Sequence, residues 1–368
     1  MRFRMRIILQ NKGNYLMLFI GIMLANVFLL FGMMMGPLIE HYQQEVVTSM
    51  LANNQYILKT QVETDYPDAE KFSVMSVEYY PDGNKDGTEE DITAYGISDN
   101  SKYIDFEIPK DGVIISDGLY EKYGLKEGDE IKLHEIFGHD EYTVNIVGIE
   151  KYPGALALFM SRENFVDTFH PEMSVEDVMS DMGMLLERFA TPPSYDYFNG
   201  YFSDKELRDI DEKYIQAKIT ETDLTKVSRQ LKISMGTLFQ LWNVFAVILF
   251  VFLIYLLTKI VIEKNAVPIS MTKILGYKNS EIGSLYLHAT TFVVVSSMLL
   301  TYLVATPVMV YLYHYFMQKI KGWLNIWIGF DTYVWMFVIG VLSYSFVALF
   351  QYRKIKKIPM DEALKSVE

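Results

Sequence analysis

The sequence predicts a multi-pass α-helical membrane protein with four spans and a large mixed α+β extracytoplasmic domain between the first and second spans. One observation is that four long runs contain no Asp, Glu, Lys or Arg, at 13–39, 233–258, 282–318 and 332–352. A spanning helix needs roughly 20 predominantly apolar residues, so each run is long enough to cross a bilayer. The other observation is that about 190 mostly polar residues, enough for an independent core, separate the first run from the second.

Basic residues near the ends of the runs predict the orientation. They are concentrated before the first run, between the second and third runs, and after the fourth run. Since Lys and Arg favour the cytoplasmic side, we expect both termini and the 259–281 loop in the cytoplasm of a cell-membrane protein. These bases are Arg2, Arg4, Arg6 and Lys12; Lys259, Lys264, Lys273 and Lys278; and Arg353, Lys354, Lys356 and Lys357.

Together the runs and the orientation divide the chain into nine predicted segments. The four tryptophans support the division, because they fall at the predicted outer ends of spans, where indole rings favour the interface. The predicted spans are 13–37, 234–258, 282–312 and 332–352. The other segments are a cytoplasmic N-terminus at 1–12, an extracytoplasmic domain with stalk helices at 38–233, a cytoplasmic loop at 259–281, a short outer loop at 313–331 and a cytoplasmic tail at 353–368.

Charge is distributed unevenly between these segments. Residues 38–233 carry a net charge of −22 and the rest of the chain +9, within a total of −13. A strongly acidic domain repels polyanions, so we expect membrane lipids but no nucleic acid among the partners. The chain has no cysteine, so the domain folds without disulfides.

The sequence contains no catalytic motif. It lacks a phosphate-binding loop, a zinc-protease motif, a nucleophile elbow and a Cys/His zinc pattern, so we expect no enzyme activity and no cofactor on this chain. The weak metal candidate is Asp82, Asn84 and Asp86, whose spacing fits the first half of a calcium loop. Thr93 stands where a bidentate Glu is expected, so a hairpin loop is favoured and no metal site is predicted.

Strand patterns cover much of the extracytoplasmic segment. Ser116 is expected to cap a short helix that Gly124 ends. Residues 161–219 are predicted to be more helical and irregular. Apolar alternation and short apolar runs predict strands at 74–80, 91–97, 113–115, 131–133, 142–149 and 156–160.

Both ends of the domain carry helical patterns that continue the neighbouring spans. Before the second span, Thr220-Glu221-Thr222-Asp223 is typical of a helix cap. Two amphipathic stalks in one domain could pack together and carry motion, or serve as support, and the two roles do not exclude each other. The first stalk is predicted from an apolar repeat every four residues, at Leu38, Tyr42, Val46 and Met50.

The 259–281 loop contains a predicted short helix. Pro268 suits its first turn and Gly276 its C-terminal end. Asn279 or Ser280 is expected to cap the next helix. Taken alone, the pattern also fits a simple connector that rests on the lipid interface.

Several segments resemble the FtsX-like permease family, the membrane subunits of MacB- and FtsX-type ABC transporters. The inner-loop segment 272–282, the stretches 111–131 and 142–149, and the tail segment 358–364 are similar to the family's corresponding parts, in the same order. With the arrangement of one span followed by three, the resemblance covers nearly the whole chain. The chain also resembles the second half of longer family members, so a homodimer, a heterodimer and a longer two-unit protein stay open.

The resemblance implies a permease subunit that couples ATP hydrolysis by a separate ATPase to movement of the extracytoplasmic domain. ATP and Mg²⁺ would bind to that ATPase, a second permease unit would pair with this one, and the ligand would be a peptide, lipid or lipoprotein at the outer membrane face. The alternative is a mechanotransmitting signalling scaffold for an extracellular partner such as a cell-wall hydrolase. The short helix would be the coupling helix that docks on the ATPase. The implied contact residues are Pro268, Ile269, Met271, Lys273, Ile274, Leu275, Gly276 and Tyr277.

Overall fold

The computed structural model describes residues 12–81, 89–136, 138–170 and 197–359. These residues form two compact units. The helical unit is drawn from Met1–Ile39, Lys232–Tyr313 and Ile326–Glu368. The α/β unit is drawn from Glu40–Leu231 and His314–Asn325.

Four of the described helices are long and apolar enough to cross a membrane, which confirms the predicted four-span architecture. In chain order the described helices are α1 (Lys12–Thr48), α2 (Asp117–Tyr123), α3 (Arg162–Phe169), α4 (Glu221–Lys264), α5 (Ala266–Ile274), α6 (Asn279–Met317) and α7 (Phe330–Lys357). The four candidate spans lie in α1, α4, α6 and α7.

The long helices extend well beyond the uncharged runs. Helix α1 continues through Pro37 to Thr48, so the predicted extension of the first span is confirmed, although Met50 lies past its end. Helix α4 begins at Glu221, and the predicted cap is confirmed because the backbone N–H and the hydroxyl of Thr220 both donate to an Asp223 carboxylate oxygen, over 3.1 Å and 2.6 Å. Of the apolar residues on this second stalk, the side chains of Val227 and Leu231 lie outside the described residues.

Polar side chains connect the helices within the helical unit. Asn26 of α1 is fully buried and donates to the hydroxyl of Thr301 in α6. Gln351 of α7 donates to the Tyr255 carbonyl oxygen and to the Thr258 hydroxyl of α4, each over 3.3 Å. In an apolar environment such bonds favour a defined helix pairing, since an unpaired amide is costly there.

The α/β unit contains nine described strands, including the six that the sequence predicts. In chain order the strands are β1 (Asn54–Leu58), β2 (Glu70–Tyr79), β3 (Glu90–Ile97), β4 (Val113–Ser116), β5 (Glu130–Glu135), β6 (Glu141–Glu150), β7 (Ala157–Ser161), β8 (Gly200–Ser203) and β9 (Ile215–Thr220). The strands β1, β8 and β9 were not predicted, and the expectation of a helical and irregular 161–219 segment is wrong where β8 and β9 lie.

Six of these strands close into a barrel. The pairing runs from β2 to β3, β7, β4, β6 and β5 and returns to β2, with β3–β7 and β4–β6 parallel and the other pairs antiparallel. The first residues of β2 extend past the barrel and pair with β8, which continues the sheet through β1 to β9 at its edge. Closure pairs both edges of each barrel strand within the unit.

Alternation of side chains on β3 separates two of the hydrophobic clusters in the α/β unit. On β3, Ile92 and Ala94 belong to the cluster that all six barrel strands contribute to. Tyr95 and Ile97 of the same strand belong to a second cluster on the outer face, where the Phe72 ring stacks on Phe202 with centroids 4.0 Å apart. This two-residue period is the one that predicted the strand.

Helix α2 differs from its prediction at its first residue. Ser116 occupies the N-terminal cap position but makes no side-chain cap bond. Its hydroxyl instead accepts from the backbone N–H of Ala157 over 3.0 Å, which joins β4 to β7. Gly124 ends the helix as predicted, with a φ of 72° that favours glycine.

The weak calcium candidate Asp82, Asn84 and Asp86 lies outside the described residues.

Candidate functional site

The candidate site is the segment that joins α4 to α6, with α5 at its centre. Pro268 lies in the first turn of α5, as predicted. The helix ends before Gly276, whose φ of +87° provides the turn toward α6, as predicted. The cap of α6 differs from its prediction, because Asn279 is already helical and the backbone N–H of Lys278 donates to Glu281 Oε2 over 2.9 Å.

One face of α5 packs against the membrane helices of the same unit. Ile269 and Ser270 have no exposed surface. Ile269 forms a cluster with Ile262 of α4, Ile282 of α6 and Ile355 of α7. Burial of this side chain contributes about 1.5–3 kcal/mol, and it fixes α5 to the ends of three long helices.

Lys273 also faces inward. Its side chain crosses to the end of α7, where Nζ donates to the carbonyl oxygens of Ile355 over 2.9 Å, Lys356 over 3.2 Å and Ile358 over 2.6 Å. The last carbonyls of a helix have no partner within the helix, so a cation there is favourable both as a donor and toward the helix dipole. Desolvation by burial lowers the pKa of Lys273.

The opposite face of α5 is exposed and apolar. Met271 is 50% exposed, Ile274 53%, Leu275 76% and Tyr277 57%. Pro268, Met271 and Ile274 are spaced three residues apart, which places them on the same side of the helix. We call Pro268, Met271, Ile274, Leu275 and Tyr277 the apolar face.

The predicted contact residues therefore separate into two groups. The five residues of the apolar face and Gly276 are exposed, whereas Ile269 and Lys273 face the helical unit. The sequence carried no signal for the inward position of Lys273, because its carbonyl partners lie 82 to 85 residues further along the chain.

Residues 241–360 match the family described as FtsX-like permease C-terminal. Over this range, about a third of the chain, the sequence is similar to the C-terminal part of FtsX-like permeases. The matched range contains most of α4, all of α5, α6 and α7, and thus the whole apolar face. No curated protein matches the chain significantly.

The FtsX-like permease family suggests an ABC transporter permease-type role. Members of that family are transmembrane subunits without an ATPase domain of their own, and the family implies an ABC ATPase partner and association with a membrane. The four apolar helices agree with a multi-pass membrane protein.

Proposed function

We propose that this chain is the permease subunit of an ABC transporter, with both termini in the cytoplasm and the α/β unit on the outer side of the cell membrane. A separate ATPase would bind ATP and Mg²⁺, and the permease would convert hydrolysis into movement of the α/β unit. A second permease unit would complete the complex. The moving unit would act on a peptide, lipid or lipoprotein at the outer membrane face.

The apolar face is the observation that carries this proposal. It exposes four large apolar side chains on one short helix and the turn that follows it. Clustered apolar surface of this kind is typical of a protein contact. In a family whose partner is an ABC ATPase, a groove on that ATPase is the contact that fits best.

The inward face of α5 supports a mechanical role for the contact. Ile269 packs on residues of α4, α6 and α7, and Lys273 is bonded to the end of α7. A force on the apolar face would therefore reach all three membrane helices, because Ile269 and Lys273 connect α5 to them.

The charge pattern of the spans supports an external source of energy. The four uncharged runs contain no Asp, Glu, Lys or Arg. Ion-coupled transporters usually place an ionisable group near the midplane of the membrane, where it binds the coupling ion. Helices without such groups fit a permease that is driven by a partner and acts outside the bilayer.

Affinity purification of the tagged full chain from its native membrane tests the proposal. Mass spectrometry should find an ATPase with a phosphate-binding loop, in an amount equal to that of the permease. The proposal fails if the ATPase is missing under conditions in which a known ABC complex survives. Recovery of a cell-wall hydrolase together with the ATPase would favour the signalling role over extraction.

The substitution Ile274→Asp should remove the ATPase from the purified complex, since a carboxylate would be buried in an apolar contact. Val147→Asp is the matched control, because Val147 is also a branched apolar residue with an exposed side chain, at 41%, but lies in the α/β unit. Equal recovery of the ATPase with both variants would contradict the docking assignment.

A further inference from the structure

The connection between α6 and α7 belongs to the α/β unit. Residues His314–Asn325 group with Glu40–Leu231, although the sequence places them between two spans. The chain therefore passes between the two units four times, after residues 39, 231, 313 and 325. The two stalks account for the first two of these passages.

A buried ion pair holds this connection in the α/β unit. Lys122 of α2 and Glu90 of β3 form the pair, and their side chains are 1% and 2% exposed. Lys122 Nζ also donates to the carbonyl oxygens of Ile320 over 2.8 Å and Gly322 over 2.9 Å. The backbone N–H of Gly322 donates to Glu90 Oε1 over 2.5 Å. The loop backbone thus bonds to both members of the pair.

The backbone of Gly322 and the hydroxyl of Tyr123 also fit this arrangement. Gly322 has a φ of +82°, a conformation that favours glycine. The Tyr123 hydroxyl donates to Glu90 Oε2 over 2.5 Å, and burial together with this hydrogen bond raises the pKa of Tyr123, so the hydroxyl keeps its proton.

Side-chain bonds surround the buried pair. Trp323, which the sequence placed at the membrane interface, donates from Nε1 to Glu121 over 3.1 Å. Asn325 donates to Asp117 over 3.1 Å. Lys321 pairs with Glu89 over 2.6 Å. These bonds extend the attachment from Lys321 to Asn325.

The buried Glu90–Lys122 ion pair depends on the loop for some of its hydrogen bonds. Two charges removed from water stabilise a fold only when their remaining donors and acceptors are also bonded. Here the loop supplies two acceptors to Lys122 and one donor to Glu90. Detachment of the loop would leave both charges with missing partners in a buried place, which opposes detachment.

We propose that Glu90, Lys122 and the backbone of Ile320 and Gly322 form a clamp that makes the α6–α7 connection a fixed part of the α/β unit. A displacement of the α/β unit is then carried to α6 and α7 as well as to α1 and α4. The use of this linkage in an ATP-driven cycle rests on the proposed function, whereas the clamp itself does not.

Hydrogen exchange of the full chain in lipid nanodiscs tests the clamp without an ATPase. In Lys122→Met, the amides of 314–325 should exchange on the order of a hundredfold faster than in the wild type, since Glu90 loses its buried partner. The control is Lys132→Met, which removes an exposed ion pair to Glu141 in the same unit and should leave these amides unchanged. Unchanged exchange at 314–325 in a folded Lys122→Met protein would overturn the clamp.

A disulfide gives a second test that does not depend on the stability of Lys122→Met. A Cβ built at Gly118 lies 3.5 Å from Trp323 Cβ and 2.8 Å from the flexible end of Leu156. Paired Cβ atoms in disulfides are about 3.5–4.5 Å apart, so Gly118→Cys with Trp323→Cys should cross-link nearly completely under mild oxidation. The chain has no other cysteine to interfere. Thiols that remain open to alkylation would contradict the attachment.

The same disulfide tests the clamp during ATP turnover in the purified complex. If the connection and the α/β unit move as one body, oxidation leaves the ATPase rate of the double variant within about twofold of its reduced rate, because no cycle step opens the loop. Loss of activity that a reductant restores would show that the attachment opens, and would overturn a permanent clamp. If no ATPase accompanies the chain, the proposed function fails, and the exchange and cross-linking results still decide on the clamp.

Discussion

Lys122 in the α/β unit and Lys273 in the helical unit are both buried, but their partners differ. Lys122 is bonded to a carboxylate and to two carbonyl oxygens, whereas the three bonds of Lys273 all go to carbonyl oxygens. Each lysine fixes a connection that is distant in sequence. One holds the α6–α7 loop, and the other holds α5 to the end of α7.

The two lysine sites differ in the groups that are left without a partner when one side chain is removed. Loss of one member of the Glu90–Lys122 pair leaves an uncompensated charge in a buried place. Loss of Lys273 leaves carbonyl groups at a helix end, which are neutral and partly within reach of water. The α/β unit should therefore tolerate a change at its buried lysine site much less than the helical unit does.

Glu90→Leu should have the largest effect. It leaves Lys122 buried without a carboxylate, and we expect a loss of about 3–5 kcal/mol in the free energy of unfolding of the α/β unit. Thermal unfolding of the full chain in detergent measures the change. The double variant Glu90→Leu/Lys122→Met should recover part of the loss. A double variant that is as unstable as the sum of both single variants would contradict the charge explanation.

Lys273→Met should have an intermediate effect. It removes three hydrogen bonds to the end of α7, and we expect a loss of about 1–3 kcal/mol in the stability of the helical unit. Lys278→Met, at an exposed position of the same segment, is the control and should behave as the wild type in the same unfolding measurement. A larger loss for Lys273→Met than for Glu90→Leu would reverse the comparison of the two sites.

Asp223→Ala should have the smallest effect, because this carboxylate is exposed. The variant tests a charged hydrogen bond at the surface, in contrast to the two buried lysine sites. The hydrogen bond from Thr220 lowers the pKa of Asp223 below its usual value of 3.8. The cap therefore stabilises the fold at pH values above about 4, by at most about 1 kcal/mol, and its contribution disappears as the pH falls through the folded pKa. The melting temperatures of variant and wild type should differ at pH 7 and converge as the pH falls through the lowered pKa of Asp223. A difference in melting temperature that stays constant with pH would refute a stabilising role of the ionised Asp223 carboxylate.

The membrane spans and most of the barrel were predictable from local patterns. A span depends on its own apolar length, and a barrel strand such as β3 depends on alternation within a few residues. Strands β1, β8 and β9 were not predicted because their pairing is set by distant partners. β8 has only four residues and includes Gly200, and all four are buried because β1 and β2 flank it.

The environments of the two buried lysines also could not be predicted from the sequence. Lys273 is a base in a short basic loop, which suggested a surface contact, but its partners are the carbonyls of a distant helix end. Glu90 stands between two other acids, so composition gave no reason to separate it from them. Burial and pairing of this kind appear only when the chain is folded.

Helices α1 and α4 meet the sheet at two neighbouring antiparallel strands. α1 ends at Thr48 shortly before β1 begins at Asn54, and α4 follows β9 with no residue between them. Asn54 lies opposite Thr220, so both helices join the β1–β9 pair at the same end. Asn54 and Thr220 are therefore held about 5 Å apart across the pair. Because α4 follows β9 directly, a change in the spacing of the two helix ends must be taken up by residues 49–53 or by opening of the β1–β9 pair.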